Sequence, residues 1–281
     1  MKKIYGFLFL FLSLYTFSIA QQNETIATLK TVPFTIGETR TFYSSELEEN
    51  RTINVYLPLS YDKKKEASYP VIYLLDGSKD EDFIHIAGIV QFGNFPWIDM
   101  LPESIVIGIS NVDRKRDFTY PTTNTKDKED FPTTGGSAAF ISFLEKELQS
   151  YVANTYRVTE ERTLIGQSLG GLLATEILWK QPTLFSNYII VSPSLWWDDN
   201  SLLPKERAPI TSPTKVYVAV GKEGPYMESA AFSLIGALKE DRQITSSFTY
   251  FNGQDHSNIL HKAVYEAFVN FYTVEEEDGK E

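Results

Sequence analysis

A mainly parallel α/β sheet with helices on both faces is the fold that the sequence predicts. Three observations predict it. Several short runs are apolar at every position instead of alternating. Stretches with helical spacing separate them. One alternating pair of strands precedes the set. A run that is apolar throughout reads as a strand covered on both faces, the environment of a parallel sheet. Strands that alternate with helices imply a layer of helices on either side.

The alternating pair occupies residues 35–58. TINVYLP alternates, and ELEEN before it is a polar turn. These antiparallel N-terminal strands belong at one edge of the sheet. YPVIYLLDG follows, closed by Asp76-Gly77. SIVIGIS (104–110), RTLIGQS (162–168), YIIVSPS (188–194), TKVYVAVG (214–221) and SFTYFNG (247–253) complete the strands. SAAFISFLEKELQSYVANTY has apolar residues at 140, 141, 144, 148, 151 and 152, with Ser137 as the expected N-cap. LGGLLATEILWKQ, YMESAAFSLIGALKE and SNILHKAVYEAFVNFY keep similar spacing. The connections 112–134 and 193–213 are too long to be simple turns. Long loops in compact domains are usually functional or disordered. Both leave carboxyl ends of strands, where such sheets bind ligands.

Composition sets further bounds. Of 281 residues, 42% are hydrophobic and 14% aromatic, enough for a sizeable core. The absence of cysteine excludes disulfides, a thiol nucleophile and a thiolate metal site. MKK, the apolar run IYGFLFLFLSLYTF, and small residues at Ser18 and Ala20 form the layout of a cleavable secretory signal over 1–20. That run is shorter than the ~20 residues of a membrane span, so no stable span is expected after cleavage behind Ala20. Export puts the protein in the periplasm or outside the cell. A single domain is expected over 27–273, followed by an acidic tail at 274–281. Loss of Lys2 and Lys3 with the signal takes the formal charge from −11 to −13. Such a chain repels nucleic acid. No feature of the sequence specifies an oligomeric state.

Residues 164–171, LIGQSLGG, lie between a strand pattern and a helix pattern. That context turns G-x-S-x-G into a nucleophile elbow. Gly166 and Gly170 leave room for strand and helix to meet, and Ser168 stands at the tip. The helix N-terminus adds positive partial charge that favours a developing anion. The ordinary alternative is a glycine-softened turn. A serine needs a base, and His256, in FNGQDHSNI after the last strand, completes the chain order serine, acid, histidine. His85 and His261 fall in helical surroundings and read as packing residues. The acid belongs after TKVYVAVG. Glu223 is the first candidate and Glu228, five residues on, the second. Asp255, next to the histidine, is expected to face elsewhere. The oxyanion donors are the N–H of Leu169 and one from LLDGSKD, where Ser78 is chosen with Gly77 as its neighbour.

YPVIYLLDGS, GQSLGG, SPSLWWDD, VGKEG and DHSN, in this order, resemble the putative-esterase family of α/β-hydrolases. The family includes ferric enterobactin esterases, S-formylglutathione hydrolases, feruloyl and acetylxylan esterases, and mycolyltransferases. The resemblance spans 35–272, and LLDG with SPSLWW points to the siderophore-esterase branch. It implies an α/β-hydrolase fold, Ser168 as nucleophile, His256 as base, Ser78 and Leu169 as oxyanion donors, and no cofactor. It also implies that Arg114 and Arg116, in SNVDRKRDFTYPTT, contact a substrate anion. Taken on its own residues, that loop is a solvated turn with internal ion pairs. Trp196 and Trp197 either fill the core or stack on a substrate ring, one of them inward. Asp198-Asp199 alone makes a poor metal site, and none is expected. The substrate expected is a small-molecule ester: a catecholate trilactone, or a feruloyl or acetyl glycan ester. The contrasting reading is a non-catalytic binding protein on the same fold.

Overall fold

The computed structural model describes residues 32–272. The expected signal segment and acidic tail lie outside the described residues, as do the ends of the expected 27–273 domain. The eight strands are β1 (Glu38–Ser44), β2 (Glu49–Tyr56), β3 (Tyr69–Leu74), β4 (Ile105–Ile109), β5 (Val158–Gln167), β6 (Asn187–Val191), β7 (Thr214–Gly221) and β8 (Ile244–Phe251). They form one sheet in the order β1-β2-β4-β3-β5-β6-β7-β8. β1–β2 and β2–β4 pair antiparallel, and every later pair is parallel. The antiparallel start sits at one edge, as the alternating pattern predicts.

The main helices before the nucleophile turn are α1 (Phe83–Gly93), α2 (Arg114–Asp117), α3 (Thr125–Asp130), α4 (Ser137–Ser142) and α5 (Gln149–Thr155). A π-helical turn, Phe143–Leu148, joins α4 to α5. After it come α6 (Leu169–Lys180), α7 (Trp197–Asn200), α8 (Pro225–Leu238) and α9 (Leu260–Tyr272). α1 and α9 cover one face, where Ile72, Val106, Ile189 and Tyr217 point. α4, α5, α6 and α8 cover the other, where Val71, Ile107, Ile190 and Val218 point. Successive strand residues therefore enter opposite cores, which is why the central strands are apolar at every position.

Several boundaries differ from the periodic reading. β5 begins at Val158 and β8 at Ile244, each earlier than expected, because polar residues there still pair with the neighbouring strand. Ser137 is not a cap. It is the first helical residue, fully buried, and its hydroxyl donates to Glu176 Oε1 at 3.1 Å. α9 starts at Leu260, because the residues just after His256 form a turn. The two long connections contain α2, α3 and α7, single turns too short to show a period.

Asp82 precedes α1 without capping it by its side chain. Burial first, then Asp76 and Glu81, push its carboxyl from 3.8 up to about 6. As pH rises between those values, the unfolded chain ionises first. The folded state loses stability across that window and stays lower above it. Asp82→Asn is expected to raise the Tm near neutral pH by an amount equivalent to ~1 kcal/mol, after solvent screening of a half-exposed group. Thermal melts across the window check this, and the gain should vanish on its acid side.

Candidate active site

Four parallel strands that lie side by side deliver the site from their carboxyl ends. Ser168 follows β5, Ser192 and Ser194 follow β6, Glu223 follows β7 and His256 follows β8. Ser168 takes φ 60° and ψ −120°, a positive φ outside the regions open to most side chains. Its N–H donates to Val191 O at 3.1 Å, and its carbonyl accepts from Leu172 N at 2.9 Å and Ser194 N at 3.0 Å. A Cβ on Gly166 would stand 2.3 Å from the Gly170 carbonyl oxygen, so only glycine allows the chain to fold back this sharply.

Glu223 and His256 meet directly. Glu223 Oε2 lies 2.6 Å from His256 Nδ1. The carboxylate is nearly enclosed, at 3% side-chain exposure against 46% for the imidazole. Its Oε1 accepts from Ser192 Oγ and from Gly221 N at 3.0 Å. Burial pushes the carboxyl up, but the bonds from His256, Ser192 and Gly221 outweigh it and hold it below its usual range. A charged acceptor on Nδ1 places the imidazole proton there and leaves Nε2 with a free lone pair. Gln167 Nε2 donates to His256 O, fixing the loop from the nucleophile side.

Glu228 does other work. Its Oε1 accepts from Glu223 N at 3.1 Å and Gly224 N at 3.0 Å, which closes the first turn of α8. Asp255 turns its Oδ1 to Ser257 N and Oγ at 2.9 and 2.6 Å, yet it lines the same cavity as the histidine. His85 and His261 lie on α1 and α9 with ring centroids 6.0 Å apart, away from this cavity.

The cavity measures about 520 Å³. Ser168 and Ser194 lie on one side, Glu223, His256, Asp255 and Ser257 on another, and Trp196 and Met227 give apolar wall. Ser168 Oγ lies 3.3 Å from Ser194 Oγ, its hydrogen-bond partner in this arrangement. Trp197 is fully buried and donates from Nε1 to Tyr120 O at 2.8 Å. One indole thus faces the cavity and the other the core.

The loop arginines are held in ion pairs. Arg114 grips Asp76 with Nε and Nη2, at 2.6 and 2.9 Å. Arg116 binds Glu49 at 2.6 and 3.0 Å and Asp117 at 2.8 Å. Neither lines the Ser168 cavity. The ion pairs of the loop engage both guanidinium groups.

The oxyanion donors are only partly brought together. Leu169 opens α6, where an N–H has no partner within the helix. Gly77 N is committed to Ile109 O at 2.9 Å. Ser78 N faces Glu81 Oε2 at 3.4 Å, and Ser78 lines a separate recess of about 400 Å³. Sequence reasoning missed Ser192, Ser194, Met227 and Gln167. The motif SPS held two of them, but a serine after a strand carries no period or spacing that marks it.

Comparison with known proteins identifies the family. The family model described as "Esterase: Putative esterase" matches residues 44–268. The chain is 28% identical over 253 residues to the ferri-bacillibactin esterase BesA of Bacillus subtilis, covering 81% of this chain and 87% of that one. It is 28% identical over 197 residues to a siderophore triacetylfusarinine C esterase of Aspergillus fumigatus, covering 63% and 62%. An IroE-like serine hydrolase from Shewanella oneidensis superposes with a TM-score of 0.74 at 25% identity, over 84% of this chain and 80% of that one. A match that takes in most of the chain, on an α/β-hydrolase sheet, places this protein in that esterase family as a carboxylic ester hydrolase.

Proposed function

We propose that the protein is an exported serine esterase that opens the ester bonds of a siderophore-type ligand through an acyl-enzyme. The observation that carries this reading is the 2.6 Å contact of Glu223 with His256 on the rim of the cavity that Ser168 also lines. Siderophore esterases among the relatives support the substrate class. The secretory layout of residues 1–20 supports export, and the exported chain should begin at Gln21 when its N-terminus is sequenced.

In this mechanism the Ser168 hydroxyl rotates from Ser194 toward His256 Nε2 as the ester settles; catalytic hydrogen bonds tighten when substrate arrives. Nε2 takes the proton while Oγ forms a bond to the acyl carbon. Glu223 stabilises the resulting imidazolium without taking its proton. The oxyanion meets the Leu169 N–H at the start of α6, with Ser78 N–H as second donor once Glu81 swings aside. The imidazolium protonates the departing alkoxide, and the ester C–O bond breaks. Water then gives a proton to His256, attacks the acyl carbon and releases the acid, and Oγ recovers its proton.

A fluorophosphonate probe tests the nucleophile. Wild type is expected to label, and Ser168→Ala is not. A folded wild type that stays unlabelled would favour a binding protein on a hydrolase fold. His256→Ala is expected to lower kcat/KM on an activated ester by at least about 10³-fold, since triad members act as a unit. Steady-state assays of the two glutamates separate their roles. Glu223→Gln should cost on the order of 10²-fold or more in kcat, whereas Glu228→Gln should cost less than about tenfold and lower the Tm by loosening the start of α8.

A further inference from the structure

The two edges of the sheet are finished differently. β1 closes one with Glu38 and Arg40, exposed and paired to each other. Charged side chains on an edge strand keep other chains from adding to it. β8 closes the other edge. Its eight residues, ITSSFTYF, include no charge and no proline. Its register with β7 runs from Ile244 to Phe251 without a bulge. Among the described residues no strand pairs with its outer side. Alternate residues of β8 therefore turn N–H and C=O groups outward, an unprotected template for another strand.

Helix α8, packed over β7 and β8, continues this surface. Its exposed positions are Pro225, Tyr226, Ser229, Phe232, Ser233 and Gly236, none of them charged. Glu228, the one acid of the helix, is half-buried and bound to Glu223 N and Gly224 N. Tyr226 is 60% exposed and Phe232 51%. The Phe232 ring lies 5.1 Å from that of Phe248 on β8, which joins helix and strand into one apolar surface. The small residues at 229, 233 and 236 share a helical face, over which a second helix can lie close. A Cβ on Gly236 would meet no neighbouring atom.

The charges that flank the strand identify the occupant. Arg242 is the first charged residue before β8 and Asp255 the first after it, and both are exposed. Two copies of β8 laid antiparallel bring the Arg242 end of each beside the Asp255 end of the other. A parallel pair would set like charges together. The chain as a whole carries −11, so two copies repel each other in general, and least across this uncharged flank.

We propose that a second copy of this chain docks here, β8 against β8 and antiparallel, about a two-fold axis normal to the sheet. The pairing adds about eight main-chain hydrogen bonds. It lays α8 against α8 and joins the two sheets into one. Antiparallel pairing also points the carboxyl ends of the two sets of parallel strands in opposite directions. The two Ser168 cavities then open at opposite ends of the dimer. The inference stands apart from the esterase reading.

Sedimentation equilibrium on the protein as the cell processes it tests the claim. At about 10 µM the mass should be that of two chains. Thr245→Lys puts a charge on the exposed edge of β8, and Phe232→Glu puts one on α8. Each should weaken association at least about tenfold. Thr41→Lys, on the β1 edge, should leave the dimer intact. Hydrogen exchange reads the pairing directly. The outward amides of β8 should exchange at least about tenfold more slowly in wild type than in Phe232→Glu. Dilution of wild type should speed them, which decides the matter even where thermal melts show a variant unfolded. A wild type that sediments as a single chain overturns the proposal. If that single chain still protects β8, residues outside 32–272 cover the edge. A dimer that leaves β8 unprotected, or that both folded variants leave intact, overturns it as well, because its interface lies elsewhere.

Discussion

Everything at the catalytic end depends on the bend at Ser168. A non-glycine residue at φ 60° and ψ −120° costs about 1–3 kcal/mol. The surroundings must hold it there. Both backbone groups of Ser168 are tied toward β6, through Val191 O and Ser194 N, so the strained residue is braced by the strand next door. That brace links the rest. The same segment supplies Ser192, which holds Glu223, and Ser194, which meets the Ser168 hydroxyl. β7 and β8 pair in parallel, and Lys222 N bonds Gln254 O at 2.7 Å, so Glu223 and His256 arrive already aligned. The geometry of the site is thus a property of adjacent strands, and no single loop carries it.

The wall of the cavity depends on a second brace, between the two long connections. Asp198 Oδ1 accepts from Thr122 Oγ1 at 2.9 Å and Thr123 N at 2.6 Å, and Oδ2 accepts from Ser201 Oγ at 2.6 Å. Burial opposes ionisation of Asp198, but these bonds prevail and hold its carboxyl down to about 2. Trp197 adds its bond to Tyr120 and an edge contact on Phe131 at 5.4 Å. The pair of acids after the tryptophans, which suggests a poor metal site in sequence, instead joins loops. Its effect on function passes through Trp196, which the clamp carries to the cavity.

The sequence made the fold and the serine–histidine pair readable, and physical reasons explain why. Strands apolar at every position have one environment, between two helical layers. A glycine two residues before a serine in a strand-to-helix turn has one steric use. Glu223 was distinguishable from Glu228 only by which carboxylate reaches the imidazole, and five residues of a loop do not fix a direction. The ion pairing of the DRKRD loop was legible in its composition, but the partners Asp76 and Glu49 were not, because they lie far along the chain. Asp255 was expected to face away, yet its turn with Ser257 leaves it on the cavity rim. Ser192 and Ser194 had no pattern to betray them, since their roles come from sheet neighbours.

The arginine network shows where the positive charge of the loop goes. Arg51 is fully buried between Glu49 and Asp117, and Arg116 shares both acids. The Arg116 guanidinium, then Arg51, keep Glu49 below the usual carboxylate range. Arg114 is similarly engaged on Asp76, at the end of the strand that leads to Ser78. The two arginines of DRKRD therefore hold the 112–134 connection to β2 and to the turn after β3.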